Sequence, residues 1–235
     1  MALGIIGAME VEVAHLKKVM DTDFTLERAG MVFHSGKLQG ADVVVVQCGI
    51  GKINAAMCAQ ILVDEFKVDA IMNTGVAGSL DNRIEIGDLV VSTDAVHHDV
   101  DVCELGYAIG EIPDLGARFF EADENLRKAV ISAATDGNVD VNVFEGRVAS
   151  GDQFIADPSR KKFIKETFGA LCCEMEGATI AHVSYCNKVP FVIVRAISDK
   201  ADGSKKTLYP VFEAKAAQHC AEIVEGVARI YSENK

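Results

Sequence analysis

The chain is 235 residues long, 49% hydrophobic and 25% charged, the mix of a globular protein rather than a disordered one. Its 23 Lys plus Arg against 35 Asp plus Glu leave a formal charge of −12, which argues against a nucleic-acid partner, because backbone phosphates need a basic footprint. The apolar runs, such as Val43–Val46 and Pro190–Val194, fall far short of the ~20 residues of a membrane span, and Met1–Glu10 carries no basic leader, so no membrane association and a cytoplasmic address are expected.

Leu3–Ala8 is a continuous apolar run that predicts a buried strand, and Met9, Val13, Leu16 and Met20 then recur at helical spacing. Met31–Leu38 and Asp42–Gln47, separated by Gln39-Gly40-Ala41, predict a hairpin. Gly49-Ile50-Gly51 breaks the chain before a helix over Ile53–Phe66. A short strand, Ala70–Thr74, is expected to end in the turn Gly75–Gly78. Asp88–Val96 reads as a strand and 97–120 as a long irregular loop. The alternation continues with a helix at Glu124–Ala134, a strand at Phe144–Ser150 and a helix at Pro158–Thr167. A strand at Ala170–Glu174, a helix at Met175–Cys186, a strand at Phe191–Ile197 and an amphipathic helix over Val211–Tyr231 complete it.

Strands alternating with helices predict an α/β fold: a twisted, mixed and mostly parallel sheet flanked by helices on both faces. No linker or repeat divides the chain, so one domain over 1–235 is expected. The seven cysteines are odd in number and show no CxxC or zinc spacing, which predicts reduced packing residues.

Ligands of such folds bind at the carboxyl ends of the strands, and the polar residues expected there are the candidates for function. They are Glu10 and Glu12 after the first strand, Gly49–Gly51, Gly75–Gly78, Gly151–Ile155, Glu174-Met175-Glu176 and Arg195–Asp199. Each has an ordinary reading alone: acidic residues in a first helical turn, glycines in turns, Ser198-Asp199 as a helix cap. Neither glycine segment completes a phosphate-binding fingerprint. Polar groups brought to one rim from so many distant segments argue for a shared site.

Taken together the segments resemble the nucleoside phosphorylase/nucleosidase family, on its nucleosidase branch. The resemblance rests on Gly4–Glu12, Gly49–Lys52, Asn73–Gly75, His98–Asp101, Gly106-Tyr107, Ser150–Ile155, Glu174–Glu176 and Arg195–Asp199, in order over almost the whole chain. It implies hydrolysis, with no cofactor and no metal, of the bond between adenine and a 5′-thio-substituted ribose. Breaking that bond leaves an oxocarbenium-like sugar and a poor leaving group, so the base needs a proton and a water needs activation. By resemblance Asp199, oriented by Ser198, protonates adenine N7, and Glu12 activates the water. Glu176 holds the ribose hydroxyls, and Arg195 pairs with the carboxylates. Phe154 and the Ile155 backbone receive adenine, with Cys173, Glu174 and Met175 beside base and ribose. Met9, Ile50, Ala77, Gly78 and Tyr209 line the rest of the pocket.

The same resemblance implies a homodimer in which a second subunit completes the pocket through Val102, Leu105 and Pro113. Three positions depart from the family pattern: Val76 where Ser is common, and Tyr209 and Leu105 where Phe is frequent. Two alternatives remain open at this stage, a phosphorolytic enzyme of the same fold and an adenosine-binding sensor without catalysis.

Overall fold

The computed structural model describes residues 2–136, 141–202 and 209–233, except the side chains of 209–215. The chain runs β1 (Ala2–Gly7), α1 (Glu10–Val19), β2 (Asp21–Arg28), β3 (Met31–Leu38), β4 (Ala41–Gln47), α2 (Lys52–Asp64), β5 (Ala70–Ser79) and β6 (Leu89–His97). Then follow β7 (Phe120–Glu121), α3 (Glu124–Asp136), β8 (Val143–Ser150), α4 (Pro158–Phe168), β9 (Cys172–Glu174), α5 (Gly177–Asn187), β10 (Phe191–Asp199) and α6 (Tyr209–Glu233).

All ten strands belong to one sheet, ordered β10-β6-β8-β9-β5-β1-β4-β3-β2 with β7 against β6. β10 also pairs with β5, so β5, β10, β6, β8 and β9 close into a ring from which β1, β4, β3 and β2 extend as an open wing. The sheet is mixed, as expected, but parallel and antiparallel pairings occur in equal number among the described residues. The closures β10–β6 and β5–β9 add antiparallel pairs to those of the β2–β3–β4 meander.

β1 is flanked by parallel β4 and β5 and reads as a continuous apolar run, because both of its faces are covered. Leu3 and Ile5 point into one core with Val13 and Leu16 of α1, Leu126 and Val130 of α3 and the apolar side of α6. Ile6 points into the other, with Ala55, Cys58 and Leu62 of α2 and Ile180 of α5. The period-2 alternation of a strand thus feeds two helical layers. A third cluster joins Ile164 and Phe168 of α4 to Leu80, Ile155 and Cys173.

Three segments depart from the sequence reading. β5 does not stop at Thr74: it stays paired with β10 through Arg195↔Gly75 and Asp199↔Gly78, and with β9 at Gly78↔Cys173. The expected turn is therefore a strand of small residues, paired with β10 along its length and with β9 only at its end. β2 was not predicted, because as a solvated edge strand it shows no apolar alternation. β10 likewise runs on to Asp199, so Ser198-Asp199 ends a strand rather than capping a helix. All seven cysteines are free, five of them buried. No described helix is long and apolar enough to cross a membrane.

Candidate active site

The ends of β1, β5, β9 and β10, the start of α1 and the residues just before α2 and α5 surround a cleft. Its lining includes Ala8, Met9, Glu12, Ile50, Val76, Ala77, Gly78, Phe154, Cys173, Glu174, Met175, Glu176, Ser198 and Asp199. A smaller annex shares Gly78, Phe154, Cys173, Glu174, Met175 and Asp199 and adds Gln153 and Ile155, but not Glu12. Asp199 therefore belongs to the annex side of the cleft and Glu12 to the other.

Glu12 reaches the cleft because it is the third residue of α1, where its carboxylate turns back to the open N–H groups of the helix start. Its Oε2 accepts from the N–H of Ala8 (2.7 Å) and Met9 (3.0 Å), and Oε1 accepts from the N–H of Val76 (3.0 Å). The ordinary reading of an acidic first turn is thus correct and compatible with a place in the cleft. The approach of β5 depends on Gly75, where a Cβ would sit 2.4 Å from Glu12 Oε1.

Glu176 precedes α5 and is 6% exposed; its Oε1 accepts from Gly51 N–H at 2.8 Å. Gly51 opens α2 at φ +100°, a conformation that favours glycine. Glu174 lines the wall, but its carboxylate is spent on the protein. It accepts from the Ser150 hydroxyl, from the N–H of Glu176 (3.1 Å) and Gly177 (2.8 Å), and from Arg195 Nη2 (2.6 Å).

Arg195 lies behind the cavity wall, 2% exposed, bonded to Glu174, to the Asn73 side chain and carbonyl, and to the Val194 carbonyl. The expected pairing of Arg195 with the carboxylates is thus a direct bond to Glu174, while Glu12 and Glu176 feel its charge only at a distance. Three buried carboxylates share one buried guanidinium, and the consequences separate cleanly. Burial pushes Glu12 up, against the Arg195 charge and three N–H donors. Burial and the neighbouring Glu174 push Glu176 up to about 7. Burial also opposes ionisation of Glu174, but Arg195, Ser150 and the Gly177 N–H outweigh it and hold Glu174 low.

Asp199 ends β10 and accepts from the Ser198 hydroxyl (3.0 Å) and from Ala201 N–H (2.7 Å), which fixes the plane of its carboxyl. Phe154 stands 60% exposed and Ile50 54% exposed at the rim. Burial, with the Cys172, Asp199 and Glu174 charges, drives the Cys173 thiol well above its usual range, so it serves as an apolar wall and not as a nucleophile.

Of the sequence candidates, Glu12, Met9, Ile50, Ala77, Gly78, Phe154, Ile155, Cys173, Glu174, Met175, Glu176, Ser198 and Asp199 meet in the cleft and annex. The Tyr209 side chain lies outside the described residues. Val102, Leu105 and Pro113 are on the 97–120 loop, and none of them lines the cavity of its own chain. Sequence reasoning gave no role to Ala8, which acts through its backbone and leaves no side-chain signal. Asn73 and Ser150 fell inside family-like motifs of the sequence but were given no role of their own; both are fully buried and hold Arg195 and Glu174.

Comparison with known proteins bears on this geometry. Residues 2–229 match the phosphorylase superfamily. The 5′-methylthioadenosine/S-adenosylhomocysteine nucleosidase of Anoxybacillus flavithermus is 43% identical over 226 residues, covering 96% of this chain and 97% of the relative. The crystal structure of the Neisseria meningitidis nucleosidase of that name, in complex with methylthio-immucillin-A, superposes with a TM-score of 0.93 at 34% identity, covering 97% and 99% of the two chains. The native structure of the futalosine hydrolase of Helicobacter pylori gives 0.90 at 33% identity, covering 96% of each.

Proposed function

The chain belongs to the phosphorylase superfamily, among the 5′-methylthioadenosine/S-adenosylhomocysteine nucleosidases, and on that premise we propose that it hydrolyses 5′-thio-substituted adenosines to adenine and the 5′-substituted ribose. The observation that carries the proposal is the placement of two carboxylates in one cleft, Asp199 on the annex side and Glu12 on the other, with Glu176 also on its wall.

In this reading adenine occupies the annex, stacked on Phe154 and read by the Ile155 backbone. Asp199 gives its proton to N7 while the bond from N9 to the anomeric carbon breaks, so the base leaves neutral. Glu12 takes a proton from a water as its oxygen bonds to the anomeric carbon. Burial makes Glu12 a stronger base than an exposed glutamate, which suits that task. The free oxygen of Glu176 accepts from the ribose hydroxyls. Glu174 and Arg195 act from behind, holding the start of α5 so that Glu176 faces the sugar.

Phosphorolysis is the weaker reading. Among the described residues lining the cleft none is cationic, and Arg195, the buried cation nearest it, is already bonded to Glu174 and Asn73. Futalosine is the competing substrate, named for one structural neighbour at 33% identity, level with the 34% of the nucleosidase structure, while the curated relative at 43% is a nucleosidase. The 97–120 loop, with Leu105 74% exposed, and the outer face of α2, with Ile53 75% exposed, are the surfaces of a cytoplasmic homodimer whose second chain closes the 5′ end of the cleft.

The test is adenine release from methylthioadenosine without phosphate. The wild-type chain releases adenine, and Asp199→Asn and Glu12→Gln each lose at least ~10²-fold in kcat. In Glu12→Gln the new amide must turn its NH2 group toward either Val76 N–H or the Ala8 and Met9 pair, so a thermal melt accompanies that variant. Release only on addition of phosphate, or binding without release, overturns the reading, as does wild-type turnover by both variants.

A further inference from the structure

Three of the sequence segments that marked the chain are not used by the chemistry above: the lysine after Gly49-Ile50-Gly51, the aspartate after His98, and the aspartate after Gly151. They come from α2, from the chain just after β6 and from the chain just after β8, and the fold brings them to one point. Lys52 Nζ donates to Asp99 Oδ1 at 2.8 Å. Asp99 Oδ2 accepts from Asp152 N–H at 3.0 Å, and Asp152 Oδ1 accepts from Lys52 N–H at 2.8 Å. The three residues thus bond in a closed cycle.

The cycle is built rather than incidental. The Lys52 and Asp99 side chains are only 23% and 15% exposed. Burial would raise the Asp99 carboxyl, yet Lys52 and the Asp152 N–H hold it below its usual range. Gly151 leaves the necessary room, because a Cβ there would lie 2.5 Å from the His98 ring and 3.0 Å from the Asp99 carboxyl carbon. On the side of Gly51 a Cβ would stand 3.2 Å from Asp152 Oδ1.

What hangs from the cycle is the binding surface. Directly before Lys52, Gly51 N–H donates to Glu176 and Ile50 lines the cleft. Directly after Asp152, Gln153, Phe154 and Ile155 line the annex. Glu12 and Asp199 are held by other contacts, the first by Ala8, Met9 and Val76, the second by Ser198 and Ala201.

We propose that Lys52, Asp99 and Asp152 are positioning residues: a polar clamp that locks the sugar wall at Gly51 to the base wall at 153–155 and so sets the affinity for the nucleoside. The role in binding rests on the nucleosidase reading. Loosening both walls weakens ground state and transition state alike, so the loss falls on KM and spares kcat.

The experiment compares Lys52→Met, Asp99→Ala, the double variant and Lys52→Arg with wild type, using methylthioadenosine for kinetics and hydrogen exchange of the unliganded protein. Each of the first two raises KM about tenfold, the scale of a hydrogen bond to a charged group, with kcat within about threefold. The double variant is no worse than Asp99→Ala alone, because that change already removes the partner of Lys52 Nζ along with that of Asp152 N–H. Lys52→Arg recovers most of the lost affinity. In Lys52→Met, exchange rises in peptides covering 49–53 and 151–155 and not in β1. Unchanged KM, a fall in kcat at unchanged KM, additive losses, or unaltered exchange at both segments overturns the clamp. Failure of wild type to release adenine sinks the nucleosidase reading instead, and the exchange comparison still decides the clamp.

Discussion

Glu176 carries a cost that its neighbours impose. Its pKa near 7, against an ordinary 4.5, comes from burial and from the Glu174 charge. The folded state therefore binds a proton more tightly than the unfolded chain, and the stability this supplies is complete below pH 4.5 and lost as pH rises through about 7. Glu176→Gln keeps an oxygen for Gly51 N–H and removes the ionisation. The variant is expected to melt higher than wild type at pH 8, by on the order of 2 kcal/mol, and to show little gain at pH 5. The same substitution raises KM, because an amide replaces the acceptor offered to the ribose. Parallel melting curves at the two pH values check the first part, and a gain of equal size at both would contradict the assignment.

At the scale of elements, β5 decides the geometry of the cleft. Its first half pairs with β1 and its end with β9, while β10 runs along the other edge. A strand that turns from one neighbour to another over these residues must be slim where it passes Glu12, and Gly75 meets that demand. Gly75→Ala drives a methyl into the Glu12 carboxylate, which must leave Val76 N–H or displace α1. An activity loss of ~10²-fold is expected with a modest fall in Tm, read by adenine release and by a thermal melt. Val76 serves Glu12 through its backbone N–H, so the carboxylate's support does not depend on which side chain stands there.

For the whole molecule, four of the ten large apolar side chains exposed among the described residues lie at the cleft or on the helix next to it: Ile50 and Phe154 line the cleft, and Ile53 and Met57 stand on α2. A second copy of the chain covers such a surface in the proposed homodimer. Ile53→Asp and Leu105→Asp are expected to shift sedimentation toward the single chain and to raise KM for methylthioadenosine. Wild type sedimenting as a single chain at micromolar concentration would refute the shared pocket.

The order of elements, the buried central strands and the rim carboxylates were legible in the residues, because apolar periodicity and strand-end position are local properties. Phe154, Glu176 and Asp199 could be named as candidates from their motifs alone. The closure of β10 onto β5 and the continuation of β5 through Gly75–Gly78 were not legible, since strand pairing there joins residues far apart in the chain, and the solvated β2 edge left no buried face to read. The same limit applied to Arg195. A sequence shows one arginine among several carboxylates, and only packing decides that Glu174 takes its charge while Glu12 and Glu176 are left to the effects of burial. Residue type thus determined which chemistry the chain can perform. Tertiary structure decided how each acid is tuned, because desolvation and Coulomb interactions depend on distances that local patterning does not encode.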